Sequence, residues 1–321
     1  MKRFSNILLI ADKNLNDSTA LNRAISLASN NNAALTLIDI VDVIPPEIQM
    51  AITTKTPMVL CEILATEKQE QLTEVARTAA RNGVDIEVMV LIGKRYLEVI
   101  RQVLRNKHDL VIKCAEPLDG LKQTLFGSTD MHLMRKCPCP VWIIKSSDHK
   151  HNRRILAAVD RDPEDTQKDA LNRPILEMAT SLALTEAAEL HVIHAWEAYS
   201  EDLLRSPRMP YTDAEVDLMV EEEEASHRQW LKKLLVEHAE PAATNANDCA
   251  IPKLHLVKGR AQQIIPLKAR DLDVDLIIMG TVARTGIPGF FIGNTAESIL
   301  NQIDCSVLTI KPPDFSSPVN L

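Results

Sequence analysis

The chain has 321 residues, with 36 basic and 44 acidic side chains and a formal net charge of -8. That length gives room for about two domains, each with its own core, and the acidic balance excludes a broad nucleic-acid surface, which needs concentrated positive charge. No apolar stretch approaches a membrane span, and the basic start at residues 1–4 only resembles a signal peptide because the apolar run after it stops at Asp12. Six cysteines without a spaced framework fit a reducing compartment, so a cytoplasmic location is expected, with no nucleic-acid or membrane partner.

In chain order, strands are expected near 6–11, 34–41, 84–91, 109–114 and 140–145, with helices near 18–31, 58–82, 94–106 and 128–136. A polar stretch, 146–153, reads as a linker. The pattern then restarts, with strands near 153–159, 189–195, 252–257, 274–279 and 305–310 and helices near 166–186, 212–239, 260–271 and 294–303. Strand and helix in alternation, with Val/Ile/Leu runs that do not alternate with polar residues, imply an α/β fold whose parallel sheets are covered on both faces.

The two series are copies. Residues 8–12 correspond to 156–160, and Ala20-Leu21-Asn22-Arg23 recurs letter for letter as Ala170-Leu171-Asn172-Arg173. The stretch 35–41 matches 190–196. Cys114 stands where Gly280 stands, Gly127 where Gly293 stands and Lys145 where Lys311 stands, each pair 166 residues apart. The expected organisation is therefore two tandem doubly wound five-stranded parallel-sheet domains, 1–146 and 152–313.

The most informative segment is 274–297, where an apolar run ends on Gly280 and a loop bearing Gly286, Gly289 and Gly293 opens a helix. Such a loop lets backbone N–H groups approach an anion, and the helix turns its positive dipole end toward it. The same glycines also serve a tight strand-to-helix turn with no ligand, and both readings stand at this level. No GxxxxGK[ST] stretch occurs, which speaks against a P-loop ATPase.

The order of these features resembles the universal stress protein family: strand then Asp, the Ala-Leu helix, a second strand ending near His or Asp, a Gly after the third strand, and the late glycine loop. The resemblance covers nearly the whole chain, twice, and implies an adenine-nucleotide-binding-type, Rossmann-like fold with the copies packed as an intramolecular pseudo-dimer. The nucleotide-binding pattern of the family is Gly, two residues, Gly, nine residues, then Gly with Ser or Thr. Carried onto the second copy, it falls on Gly280, Ala283, Gly293 and Asn294, with Thr281 and Thr295 beside them, and assigns Asp160 and Ala195 to the adenine and ribose side. In the first copy it falls on Asp12, Ile40, Gly127, Ser128 and Thr129, while Cys114 and Pro117 replace the first two glycines. Proline lacks a donor N–H. ATP or another adenine nucleotide is therefore expected in the second cleft and none in the first.

Catalytic chemistry finds little footing. His191 and His194 fall on a strand without a nucleophile elbow and read as hydrogen-bonded core groups, and Cys137 and Cys139 have no second cluster to complete a metal site. Lys145 and Lys311 mimic the strand-end lysine of a receiver domain, but the third strands end without an acceptor Asp, and the lysines are expected to project into solvent. The long apolar segments after each second strand, including Met58, Val59, Ile63 and Leu64, and Leu203, Leu218 and Met219, read as helices closing their own cores, or else as flaps over an apolar ligand or a seam between the copies.

The resemblance implies a stress-response protein acting as a non-catalytic binding and signalling module, whose ligand shifts the 280–295 loop and so the surface shown to a protein partner. The alternatives are a weak ATP-hydrolysing or phosphotransfer enzyme and a carrier of an apolar small molecule. The copies are expected to pair through their fifth strands, 141–144 and 307–310, leaving room for further dimerisation.

Overall fold

The computed structural model describes residues 4–11, 19–44, 57–80, 83–115, 126–145, 153–161, 166–198, 200–238, 251–281 and 292–321. The contacts divide the chain into two compact units: Met1–Lys150 with Thr281–Gly293 and Ser306–Leu321, and His151–Gly280 with Asn294–Cys305.

The first unit runs β1 (Asn6–Ile10), α1 (Thr19–Asn31), β2 (Ala34–Val41), α2 (Pro57–Ala80), β3 (Ile86–Ile92), α3 (Arg95–Asn106), β4 (Leu110–Cys114), α4 (Ser128–Lys136) and β5 (Val141–Ile144). Its sheet order is β3-β2-β1-β4-β5, all parallel. Ile7, Leu8 and Leu9 are fully buried, as a strand covered on both faces requires. Ala20, Leu21, Ala24, Leu27 and Ala28 form the buried stripe of α1 at helical spacing.

The second unit holds β6 (Arg154–Ala158), α5 (Thr166–Glu186), β7 (Glu189–Trp196), α6 (Glu201–Leu204), α7 (Asp213–His238), β8 (Lys253–Lys258), α8 (Ala261–Asp271), β9 (Leu276–Gly280) and α9 (Asn294–Leu300). Its parallel strands run β9-β6-β7-β8, the order of the first copy. The last strand, β10 (Ser306–Ile310), belongs to the first unit, where it pairs antiparallel with β5 in the register Val307↔Ile143, Leu308↔Trp142, Thr309↔Val141. The fifth-strand runs thus meet, and the compact units cut the chain elsewhere than at the limits read from sequence.

Repeated residues perform repeated tasks. Asp109 accepts the N–H groups of Ser5 at 2.7 Å and Asn6 at 3.0 Å, and Asp275 accepts those of Arg153 at 2.7 Å and Arg154 at 2.9 Å. Each carboxylate before a fourth strand ties down the start of the first. Gly93 and Gly259, after the third strands, have φ of +155° and +137°, and their N–H groups bond to Val41 O at 3.0 Å and Trp196 O at 2.7 Å. Glutamates 221–223 with Arg228 and Lys232 form an exposed face of α7, and Arg228 pairs with Glu224 one turn away.

Two apolar expectations resolve differently along one helix. Cys61, Leu72, Ala76 and Ala79 close the core beneath α2, whereas Met58, Val59, Ile63 and Leu64 are exposed. In the second unit Val216 is buried while Leu203, Leu218 and Met219 are exposed. Residues 45–56 lie outside the described residues.

Helices α1 and α5 both end in a left-handed residue, Asn32 with φ 54° and Ala187 with φ 52°, followed by the bonds Ala33 N→Ala28 O and Ala188 N→Ala183 O, each 2.9 Å. This is the Schellman ending, which favours glycine. Alanine carries a Cβ penalty of about 1 kcal/mol there. Ala187→Gly is therefore expected to raise the thermal midpoint by a few degrees, read by differential scanning calorimetry, while the same change at the helical Ala183 lowers it.

Candidate functional site

In a doubly wound sheet, ligands bind beyond the carboxyl ends of the strands where the order reverses. That point lies between β1 and β4 in the first unit and between β6 and β9 in the second.

In the second unit the strand ends carry the expected residues. Asp160 follows β6 and is exposed, and its backbone is bracketed by Asn172, whose Oδ1 accepts the Asp160 N–H at 3.0 Å while its Nδ2 donates to the Asp160 carbonyl at 2.6 Å. The repeated Ala-Leu-Asn-Arg tetrapeptide thus fixes the end of a strand. Ala195 is half-buried on β7, and Asn294 and Thr295 are exposed at the start of α9. Gly280 has a packing reason of its own, since a Cβ there would stand 2.4 Å from Leu171 Cδ2. Thr281 is fully buried, and its hydroxyl donates to Met134 O at 3.0 Å and accepts from Lys311 Nζ at 2.6 Å. That hydroxyl is committed within the first unit. The Gly293 N–H reaches Thr281 O at 3.2 Å. Ala283 and the rest of 282–291 lie outside the described residues, as do Asp12 and Pro117.

The first copy contains a feature that the sequence reading missed. Lys113, inside β4, and Asp130, in the first turn of α4, form an ion pair of 2.8 Å with side chains 4% and 0% exposed. Asp130 Oδ2 also accepts the N–H of Gly127 at 3.1 Å, and Lys113 Nζ donates to Cys114 O at 2.8 Å. A carboxylate therefore sits at the head of the helix that follows the late loop, with a lysine against it. Ser128 is exposed and Thr129 half-buried beside it. Counting 166 residues on, the second copy has Met279 and Ala296, both buried and neutral. The available signal was a lysine interrupting the apolar run 110–114 and an acid three residues after Gly127.

The second-strand ends also differ. Ile40 is buried, and its carbonyl accepts from Arg95 Nη2 at 3.1 Å. The adjacent Asp39 is held by Arg95 at 3.1 Å and by Lys68. Its counterpart His194 instead donates from Nδ1 to Val159 O, at 3.3 Å, which leaves Nε2 to accept from His227 Nδ1 at 2.9 Å. His191 meets His255 at 2.9 Å across β7 and β8. Both strand histidines are thus hydrogen-bonded core groups.

The strand-end lysines correct an expectation. Lys145 and Lys311 do not project into solvent but are 5% and 7% exposed. Lys145 Nζ lies 4.6 Å from the Phe126 ring centroid, and Lys311 donates to Met134 O at 2.7 Å and Arg135 O at 3.2 Å near the negative end of α4. Burial lowers the Lys311 pKa to about 7. The Cys137 and Cys139 sulfurs touch at 3.6 Å, and among the described residues no group of three His, Cys, Asp or Glu side chains could hold a metal ion.

A duplicated α/β chain with a reversal of strand order in each copy defines the class. The chain belongs to the universal stress protein family, whose model matches residues 3–145 and again 151–311. Along its full length it is similar to Universal stress protein E of Escherichia coli strain K12, with 29% identity covering 100% of this chain and 98% of the relative. The homologue from Haemophilus influenzae is 25% identical over 97% and 98% of the two chains. Among solved structures, a functionally unknown protein of Pseudomonas aeruginosa PAO1 has a TM-score of 0.68 at 25% identity, covering 98% of this chain and 94% of that one. A universal stress protein from Archaeoglobus fulgidus shares the fold, with a TM-score of 0.59 at 19% identity over 96% and 98% of the chains. Among the described residues no helix is long and apolar enough to cross a membrane.

The histidine pairs make the second unit acid-sensitive. Burial first, then His194 and Arg161, push the His227 pKa down to about 4, and burial with Lys268 and His191 does the same to His255. The unfolded chain, titrating near the ordinary 6.5, binds more protons in that window, so the contribution is complete above about pH 6.5 and declines toward pH 4. Urea unfolding at pH 7.5, 6 and 4.5 is expected to show this decline, and His227→Gln is expected to flatten it.

Proposed function

We propose that this chain is a non-catalytic binding and signalling protein of the stress response, holding an adenine nucleotide such as ATP in its second copy and none in its first. The observation that carries the asymmetry is the buried Lys113–Asp130 pair. In the first copy a carboxylate of the chain itself occupies the helix head where the family pattern places phosphate, taking the Gly127 N–H as an anionic ligand would. An incoming phosphate would meet a like charge there. The second copy has Met279 and Ala296 at those positions, so the first copy's ion pair is not repeated there.

The residues to which we assign the second-copy site are Asp160, Ala195 and Gly280 at the strand ends, with Gly293, Asn294 and Thr295 at the start of α9. Asn172, by fixing the backbone of Asp160, presets one wall. Asn294 offers an amide donor in place of the hydroxyl of the family pattern. The protein partner that reads the occupied state is of unassigned identity in this proposal.

Isothermal titration of the full chain with ATP tests the reading. One equivalent is expected to bind, and the double variant Met279→Lys/Ala296→Asp, which installs the first copy's ion pair, is expected to weaken binding tenfold or more, about 1.4 kcal/mol, with its thermal midpoint preserved. A flat trace for the wild type refutes the nucleotide. Phosphate release that vanishes in Asp160→Ala would replace the non-catalytic reading with a weak ATP-hydrolysing enzyme.

A further inference from the structure

A second group of residues in the first unit has the makings of a ligand site and no part in the reading above. Lys94 precedes α3, its backbone extended and its side chain making no cap hydrogen bond. Tyr96 lies in the first turn of α3 and stacks on His132 of α4, with ring centroids 4.1 Å apart at 21°. The Lys94 and Lys136 ammoniums lie 5.1 Å and 5.0 Å from the same Tyr96 centroid. Arg135 is next in chain.

Two ammoniums that share one ring repel each other, and such a pair ordinarily has a carboxylate nearby. Among the described residues no carboxylate comes within ion-pair distance of Lys94, Arg135 or Lys136. The acid of the first turn of α3, Glu98, is taken by Arg101 at 2.6 Å. Two nitrogens in the cluster, the ring Nδ1 of His132 and the donor Nε of Arg135, are buried and make no hydrogen bond among the described residues. The first N–H groups of α3 also lack intrahelical partners and add their dipole end. In a chain of net charge -8, this is a local concentration of positive charge with unspent donors.

The duplication supplies an internal control. At the equivalent positions, 166 residues on, the second copy has Arg260, Gln262, Ser298, Asn301 and Gln302. The lysine becomes an arginine that pairs with Glu197 at 3.2 Å, and the remaining positions are neutral. There Gln302 Nε2 donates to Gln262 O at 3.1 Å, Ser298 O at 2.8 Å and Ser298 Oγ at 3.1 Å. The same helix pair is therefore self-satisfied in one copy and left cationic in the other, so the fold does not require the charges.

We propose that the cluster formed by Lys94, Tyr96, His132, Arg135 and Lys136 is a binding site for a compact polyvalent phosphate anion. A compact anion is inferred because both ammoniums lie about one ring, where a single multiply charged group can answer them together, whereas peptide carboxylates bring one charge at a time. Binding removes the repulsion that Lys136, Arg135 and Lys94, after burial, exert on His132, all of which lower its pKa. The site therefore takes up a proton on His132 when filled and binds more tightly as pH falls from 7.5 to 5.5. This site shares no residue with the proposed nucleotide site.

The test follows the His132 ring signals by NMR in the full chain while inorganic tripolyphosphate is added at 150 mM salt, the signals being assigned with His132→Gln. A saturable shift of His132, an upward move of its titration midpoint, and at least a tenfold weakening in Lys94→Met/Lys136→Met support the proposal. Arg260→Met, in the other copy, should leave the shift unchanged. The Met279→Lys/Ala296→Asp variant serves as a check that the signal does not report the second cleft, and thermal midpoints check that each variant is folded. A non-saturable shift, one that sulfate reproduces at equal concentration, or one that survives the double lysine variant overturns it. Displacement of tripolyphosphate by an acidic peptide at lower concentration would overturn it in favour of a protein partner.

Discussion

Asp109 and Asp275 hold together the two parallel strands at which the strand order reverses in each copy. β1 and β4, like β6 and β9, are parallel neighbours far apart in sequence, so no hairpin fixes their register. A carboxylate at the start of one strand accepts N–H groups at the start of the other, and hydrogen bonds to an ionised acceptor are roughly twice as strong as neutral ones. From the opposite ends of these strands the chain leaves toward its crossover helices. This register sets where Asp160 and Gly280, two of the residues to which the nucleotide is assigned in our proposal, stand at the strand ends.

On this common frame the copies differ by exchanges of charge for neutrality. A buried ion pair such as Lys113 with Asp130 contributes little net stability, because desolvation offsets attraction, and well-packed apolar residues of similar volume replace it at little expense. Met279 and Ala296 are such a replacement. The two states of this position are therefore expected to be close in stability while differing in buried charge. The same holds for Asp39 with its two cations against His194 with His227, where one copy presents fixed charge and the other a neutral hydrogen-bonded pair.

The elements were readable because buried parallel strands appear as short Val/Ile/Leu runs bounded by Gly, Asp or Pro, and α5, expected over 166–186, is Thr166–Glu186. Four-residue α6 was missed, being too short to show a period. Lysine was read as a surface residue at 145 and 311, yet local sequence does not reveal that Phe126 or the last carbonyls of α4 wait for the ammonium. Likewise Lys113 and Asp130, or His191 and His255, 64 positions apart in sequence, become partners only once the sheet is assembled. Periodicity marks a strand without naming its neighbour, which is why β10 falls in the first unit rather than the second.

That last strand bears on how the protein is made. β5 is complete when residue 144 has been synthesised, but its antiparallel neighbour begins at residue 306. During translation the Val141–Ile144 edge, with its unpaired backbone groups and the large indole of Trp142, waits while more than a hundred further residues emerge. An open apolar edge of that kind is a template for pairing with another nascent chain. The interval between the completion of β5 and the arrival of β10 is thus the stretch of synthesis in which this edge is open to a wrong neighbour.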